Sequence, residues 1–558
     1  MADNLRVPSS LRQYLDVHDS PLSPYNTPQG KSYVYGTLPL FATKLFASGV
    51  GRDDYGRLNI LGRRLSALID TLSILLVFVL ALILFEREDK RVAAWGALLA
   101  AALYAVTVAA IQQAHFFVTD TWLVLFVLLS FTLAAVLVRA TTARPPPRLP
   151  LLVFALGGVL GLAIGCKISG VIAAIPIGIA LLAQAVAFAR TAPPVAAAVR
   201  LCAAGLATAV SAYVAFRWVD PYAFASSNWL DLSTNRHFRS ALLHEQDAVA
   251  GKFLIPPSYQ WLLSPRFWAP AENLGFWQLG PALGVAALIG VAVLGWRAVR
   301  GVRHFSDTTA ATIALMLVAL AAASFFYFST RFVHAGRYLL PILPLLCIAG
   351  ATAILALGRF SSVLRVAAAA VVLVPTLLYA LAYHHIYTEP NTRVAASDWL
   401  VAHVPMGATI ANEHWDDPLP TGGAAASFQG VIVPVFDPDD EDKLAKLHAG
   451  LAQADYYVLS SPRAWKTVGR LPRRFPLTTR YYQLLFAGRL GFRRIASFHS
   501  YPELLGIEIP DGRAEEAWWI YDHPPVQIFR KTSRLSLKEF RRRICGYPAA
   551  ARCAVART

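Results

Sequence analysis

From residue 66 to residue 384 the chain is built of apolar stretches separated by short polar breaks and one long loop. A bilayer core takes about 20 apolar residues per helix. Ten runs meet that length: 66–85, 93–111, 121–138, 150–166, 168–189, 201–217, 279–296, 309–328, 338–357 and 363–384. The fourth and fifth are interrupted only by Gly165-Cys166-Lys167, where a tight turn is expected because glycine lowers its cost. The breaks alternate in character. One set is short and basic: Arg87, Lys90 and Arg91; Arg139, Arg144 and Arg148; Arg190 and Arg200; Arg297, Arg300 and Arg303; Arg359 and Arg365. By the positive-inside rule these face the cytoplasm. The other set faces outward: 112–120, the turn at Lys167, a long loop over 218–278 and the turn 329–337, with the first 62 residues and everything after about 385. An outside N-terminus without a signal peptide or span of its own leads to the expectation of a first helix upstream of Met1.

After residue 390 the pattern changes. Short β-rich runs at 408–412, 430–436, 454–460, 492–498 and 526–529 alternate with helical stretches such as Thr392–His403 and 440–453, which predicts a small α/β domain. The expected class is therefore an α-helical polytopic membrane protein with a C-terminal extracytoplasmic α/β domain. Its parts are an outer segment 1–62, a transmembrane domain 63–385, a soluble domain 386–545 and a tail 546–558.

Composition sharpens this. Of 558 residues 56% are apolar and 15% charged, against about 25% charged in soluble domains, and the mean hydropathy is +0.47. A soluble enzyme is excluded. The net charge of +17 is what basic cytoplasmic loops produce and does not call for nucleic acid. The basic stretch from Arg530 to Arg543 reads as a solvated tail in preference to a lipid contact. Cys166, Cys202 and Cys347 lie in apolar runs as small core residues; Cys545 and Cys553 could pair if the tail is outside the cytoplasm.

Chemistry is sought at outward helix ends, since ionisable groups within a membrane are costly. Asp120 lies at the start of an apolar run with His115 just before it, and reads either as a general base or as a helix cap. Lys167, alone between two spans, suits a phosphate counter-ion, against a snorkelling reading. Arg331, His334 and Arg337, followed by Tyr338, break the positive-inside pattern, and arginine suits phosphate recognition. Arg63 or Arg64 is expected to pair with Asp70. The long loop carries Pro256, Pro257, Gln260, Trp261, Trp268 and Trp277, fitting a sugar face or a membrane interface, and acidic candidates Glu245 and Asp247. The run Glu413-His414-Trp415-Asp416-Asp417 reads as a surface cluster, with a divalent cation as the open alternative. No Gly-rich phosphate loop or metal-spaced histidine pair occurs in the sequence.

These residues, in this order and on one side, resemble the GT-C class of integral-membrane glycosyltransferases, in particular the dolichyl-phosphate-mannose–protein mannosyltransferase branch and its polyprenyl-phosphate-sugar relatives. The resemblance runs over most of 20–345: Ser23-Pro24-Tyr25-Asn26, Tyr33 through Leu40 with Tyr35 among them, Gly62 through Ala67, His115 to Asp120, Lys167, Pro257 with Gln260-Trp261, and Arg337-Tyr338-Leu339-Leu340-Pro341. It implies an enzyme of the cell inner or plasma membrane that transfers a hexose or pentose from a polyprenyl-phosphate donor, with inversion, to an acceptor hydroxyl on the extracytoplasmic side. The acceptor would be a protein, lipid or glycan, and no metal is required. Asp120 would serve catalysis, with His115, Lys167, Arg331, Arg337, Tyr338, Gln260 and Tyr35 binding substrate. The family's acidic pair after its first helix has no counterpart here; Asp16 and Asp19 adjoin no helix. Competing classes are a lipid-linked-sugar transporter or flippase, disfavoured because the Gly165–Lys167 break has no second copy, and a non-catalytic membrane assembly protein.

Overall fold

The computed structural model describes residues 4–27, 33–140, 149–304 and 308–546, without the side chains of 302–304. Arg144, Arg148, Arg303 as a side chain, and Cys553 with its expected pairing to Cys545 lie outside the described residues. The chain divides into two compact units, one of residues 1–252 and 266–380, the other of 253–265 and 381–558.

The first unit is helical. Among the described residues nine helices are long and apolar enough to cross a membrane, and the bent pair Lys90–Ala105 and Val108–Ala114 meets the same measure only when its two helices are taken together. The ten apolar runs map onto these nine and the pair, so the protein is an integral membrane protein. The bend of 58° falls at three consecutive β-branched residues, Val106, Thr107 and Val108, a run that crowds the preceding helical turn. Capping fixes other ends. Asp54 accepts from the Arg57 amide to start Tyr55–Leu84, and Asp89 accepts from the Arg91 amide to start Lys90–Ala105. Helix Leu149–Cys166 packs along Pro194–Val219 through Gly157, Gly161 and Gly165 at four-residue spacing. A Cβ at Gly157 would fall 2.3 Å from the Thr208 carbonyl oxygen, and one at Gly161 2.3 Å from that of Ala212. Small residues at this spacing let helix backbones meet in lipid. The span Gly336–Leu357 is almost wholly buried.

Outside the spans, the N-terminal segment and the start of the long loop fold together. Leu5, Leu22, Tyr25, Leu40 and Phe41 share one core with Tyr222, Phe224 and Phe238. Helix Arg236–Ala250 follows, capped by Asn235 and ended by Gly251 in the left-handed region at φ 78°.

The second unit is α/β. Strands β1 (Thr409–Glu413), β2 (Gln429–Val433), β3 (Tyr456–Leu459), β4 (Phe492–Phe498) and β7 (Val526–Lys531) form one sheet in the order β2-β1-β3-β7-β4. The pairs β1–β2 and β1–β3 are parallel, while β3–β7 and β7–β4 are antiparallel. Two-residue strands β5 (Glu503–Leu504) and β6 (Ile507–Glu508) make a separate hairpin. Apolar cores occupy both faces: Tyr457, Leu447 and Phe529 belong to one, Val458, Leu400 and Ile528 to the other. All five expected β runs are strands of the main sheet. The segment 253–265 also belongs here: the Tyr259 ring stacks on Phe436 at 6.1 Å and meets Phe475 edge-on at 5.2 Å. Tyr259 thus packs against the α/β core, while Phe267, Trp268 and Phe276 of the same aromatic-rich loop are exposed.

Candidate functional site

Several of the expected site residues converge at Lys167. Helix Thr119–Arg139 starts after extended Val118, which gives no side-chain cap, and Asp120 falls in its first turn. There a carboxylate sits at the positive end of the helix dipole. Helix Leu149–Cys166 stops at Lys167, extended at φ −165° and ψ 138°, before the 3-10 turn Ile168–Ala173. That geometry places Lys167 Nζ 2.9 Å from Asp120 Oδ1, with the side chains only 14% and 7% exposed. Asp120 does not cap the helix, and the Lys167 ammonium turns to the Asp120 carboxylate.

Two aromatic rings flank the ammonium. Tyr338 lies 5.1 Å from Nζ and Tyr35 5.9 Å from it, centroid distances at which a ring face attracts a cation. Tyr338 comes from the 3-10 segment Gly336–Ile342 and leans on Phe328 at 5.2 Å. The Arg337 guanidinium is 5.7 Å from the Tyr338 ring. Asp120, Lys167, Tyr35, Tyr338 and Arg337 thus form one cluster. Arg331 instead lies over Tyr327 at 4.2 Å, and His115 Nδ1 turns back to the Ile111 carbonyl at 2.8 Å. His334 is buried beside the Arg331 carbonyl, and burial holds its imidazole below the usual range. Gln260 belongs to the second unit, where its Nε2 donates to the Pro257 carbonyl and its Oε1 accepts from the Glu516 amide at 3.0 Å.

Three contributors escaped the sequence reading or were weighted low by it. The Gly36 amide donates to the Cys166 carbonyl at 3.1 Å, and a Cβ at Gly36 would fall 2.1 Å from the Gly165 oxygen. Only glycine permits that contact, which brings Tyr35 to Lys167. Next, Thr37 Oγ1 donates to the Val219 carbonyl at 2.7 Å, and adjacent Asp220 is buried. Burial pushes the Asp220 carboxyl up to about 7, against hydrogen bonds from Thr37 and Ala223 that pull it down. Finally, Glu245 on helix Arg236–Ala250 lies within electrostatic reach of Tyr338. The signal for Gly36 was its place inside a Tyr-rich motif; Asp220 ends an apolar run.

Other expectations resolve differently. Asp70 Oδ1 accepts from Tyr104 at 2.7 Å in place of an arginine. Arg63, two turns away at about 10 Å along the axis, is exposed with Arg64. In the second unit Glu413 Oε1 accepts from Tyr457 at 2.7 Å and Tyr482 at 2.5 Å, and burial pushes the carboxyl up to about 8. Asp416 and Asp417 both pair with Arg393, at 2.8 and 2.9 Å. That run is a network of ion pairs and hydrogen bonds, and among the described residues no group of three or more His, Cys, Asp or Glu is placed to hold a metal.

Residues 39–208 match the family model of dolichyl-phosphate-mannose-protein mannosyltransferase, a stretch that contains Asp120 and Lys167. The resemblance drawn from the motifs is borne out over those residues. No curated protein matches the sequence. Solved structures of similar fold include the Archaeoglobus fulgidus oligosaccharyltransferase in its apo form, at 14% identity and a TM-score of 0.48, covering 93% of this chain and 84% of that one. Another is ArnT from Cupriavidus metallidurans in the apo state, at 13% identity and a TM-score of 0.43, covering 90% and 89%. The same ArnT bound to undecaprenyl phosphate aligns at 13% identity and a TM-score of 0.39, again over 90% and 89%.

Proposed function

We propose that this protein transfers a sugar from a polyprenyl-phosphate donor to an acceptor hydroxyl at the extracytoplasmic membrane surface, with inversion at the anomeric carbon. The observation that carries the reading is the nearly buried Asp120–Lys167 pair between aromatic rings. A lone ion pair in so dry a place contributes little net stability against well-packed apolar residues. It is suited to exchange. When a phosphate enters, Lys167 turns from the carboxylate to the phosphate, and no cation is left without an anion.

In the transfer step the acceptor oxygen bonds to the anomeric carbon as the bond from that carbon to the donor phosphate oxygen breaks. The acceptor proton passes to a carboxylate, with Asp120 accepting it or orienting the hydroxyl. Lys167 and Arg337 stabilise the charge that gathers on the departing lipid phosphate. One carboxylate is enough for direct displacement, whereas retention would need a second as nucleophile. The 386–545 region is proposed as an extracytoplasmic domain that meets the acceptor.

The test is sugar transfer by the purified protein in liposomes, with polyprenyl-phosphate mannose as donor. Asp120→Asn and Lys167→Ala are each expected to lower turnover at least about 100-fold, the scale of losing a general base or a charge-stabilising donor. Undiminished turnover in both removes this site, and movement of the lipid across the bilayer without transfer supports a transporter instead.

A further inference from the structure

The far end of the helical unit holds a second concentration of positive charge that the transfer site does not use. Helix Thr119–Arg139 carries Asp120 in its first turn, and Arg139 in its last turn pairs with Glu86 at 2.7 Å. Its 21 residues span about 30 Å, the thickness of a hydrocarbon core. Residue 86 therefore marks the membrane face opposite Asp120. Beside it lies a recess of about 460 Å³ between the ends of Tyr55–Leu84, Pro281–His304 and Thr308–Thr330.

Among the described residues four arginines line this recess, Arg87, Arg297, Arg300 and Arg359, against one carboxylate, Glu88. Arg297 and Arg300 stand one helical turn apart, so both guanidiniums arise from one face of their helix. Arg297 is partly buried there and Arg87, Arg300 and Arg359 stand exposed around it, so four like charges that repel one another are gathered at one recess. The floor is apolar, with Leu84, Phe85, Leu294 and Ala314. Trp296, half exposed and 5.1 Å from the Arg300 guanidinium, sits as an interfacial tryptophan does. A basic rim over an apolar floor is complementary to one kind of molecule, an amphiphile with an anionic head.

We propose that this recess binds the phosphate headgroup of an anionic phospholipid from the leaflet opposite the transfer site, with its acyl chains along the apolar floor. Arginine is the fitting donor, since its planar fork takes two phosphate oxygens at once.

The test uses the full chain in nanodiscs of phosphatidylcholine with a minor share of phosphatidylglycerol. Retained lipid is counted by native mass spectrometry and stability read from the melting midpoint. The expected result is selective retention of phosphatidylglycerol and a higher midpoint than in phosphatidylcholine alone. Arg297→Gln with Arg359→Gln should lower that retention about 30-fold, as the loss of two interfacial charges implies. Arg297→Lys with Arg359→Lys should fall between the wild type and the glutamine variant, keeping the charge and losing the fork. Equal retention by the glutamine variant overturns the proposal. So does a phosphatidylglycerol-to-phosphatidylcholine ratio in the wild-type protein no higher than in the disc, a measurement that needs no variant to fold. Stabilisation of the protein in pure phosphatidylcholine by millimolar inorganic phosphate, equal to that by the lipid, would assign the recess to a soluble anion and overturn it as well.

Discussion

Removing one partner of a nearly buried ion pair leaves the other charge uncompensated, at a cost of about 3–5 kcal/mol. Asp120→Asn and Lys167→Met are each expected to lower unfolding stability by about that much. The double variant should recover most of the loss while remaining inactive, and denaturant unfolding in detergent beside a transfer assay checks both halves. A second residue-scale prediction concerns Asp220, whose folded pKa of about 7 lies above its ordinary 3.8. Between those values the unfolded chain has released the proton that the folded protein keeps. Stability should therefore fall as pH rises from about 4 to about 7, by on the order of 4 kcal/mol, and then level off. Asp220→Asn should abolish the fall, as melting midpoints across that range would show. Asp120 and Lys167 were legible because an ionisable residue that interrupts an apolar run stands out. The partner of Asp70 was not, because Tyr104 comes from another helix and a tyrosine in an apolar run announces nothing.

Elements were easier to read than their packing. The ten apolar runs and the five β-rich runs show in one dimension, since length and period survive without neighbours. Glycines betray their role only when the opposing backbone is known. Gly157 and Gly161 could each have been a kink, yet both let Leu149–Cys166 lie against Pro194–Val219. Gly161→Leu is expected to cost about 1–3 kcal/mol by pushing these helices apart, read as a lower melting midpoint. In the second unit His523 is clamped between Asp522 Oδ1 and Asp511 Oδ2, each at 2.6 Å, with Tyr383 and Tyr387 donating to the other Asp522 oxygen. Burial opposes the imidazolium, but the two carboxylates hold its pKa up at about 9, above its ordinary 6.5. The clamp's stabilisation is thus full below about pH 6.5 and is lost as pH rises through about 9. His523→Gln should remove that alkaline fall, measurable as a flatter dependence of tryptophan-fluorescence melts on pH.

For the whole molecule, charge asymmetry between loops predicts the sidedness on which the proposed transfer site depends. With Cys202 replaced by Ala, Met406→Cys should react in intact cells with a membrane-impermeant maleimide, and Thr191→Cys only after lysis. The reverse pattern would place the second unit in the cytoplasm. What the linear pattern could not disclose is that residues 253–265 leave the helical unit to complete the second one. The Glu516 amide donates to a glutamine 256 positions earlier. Ribosomes add about 5–20 residues per second, so Gln260 emerges on the order of 10–50 s before its partner exists. For most of that interval Tyr259 lacks the rings of Phe436 and Phe475 that cradle it in the folded unit. A chain ended before Phe475 would leave the Tyr259 ring without its edge-on partner, so truncations upstream of this residue should be the ones that nascent-chain quality control removes.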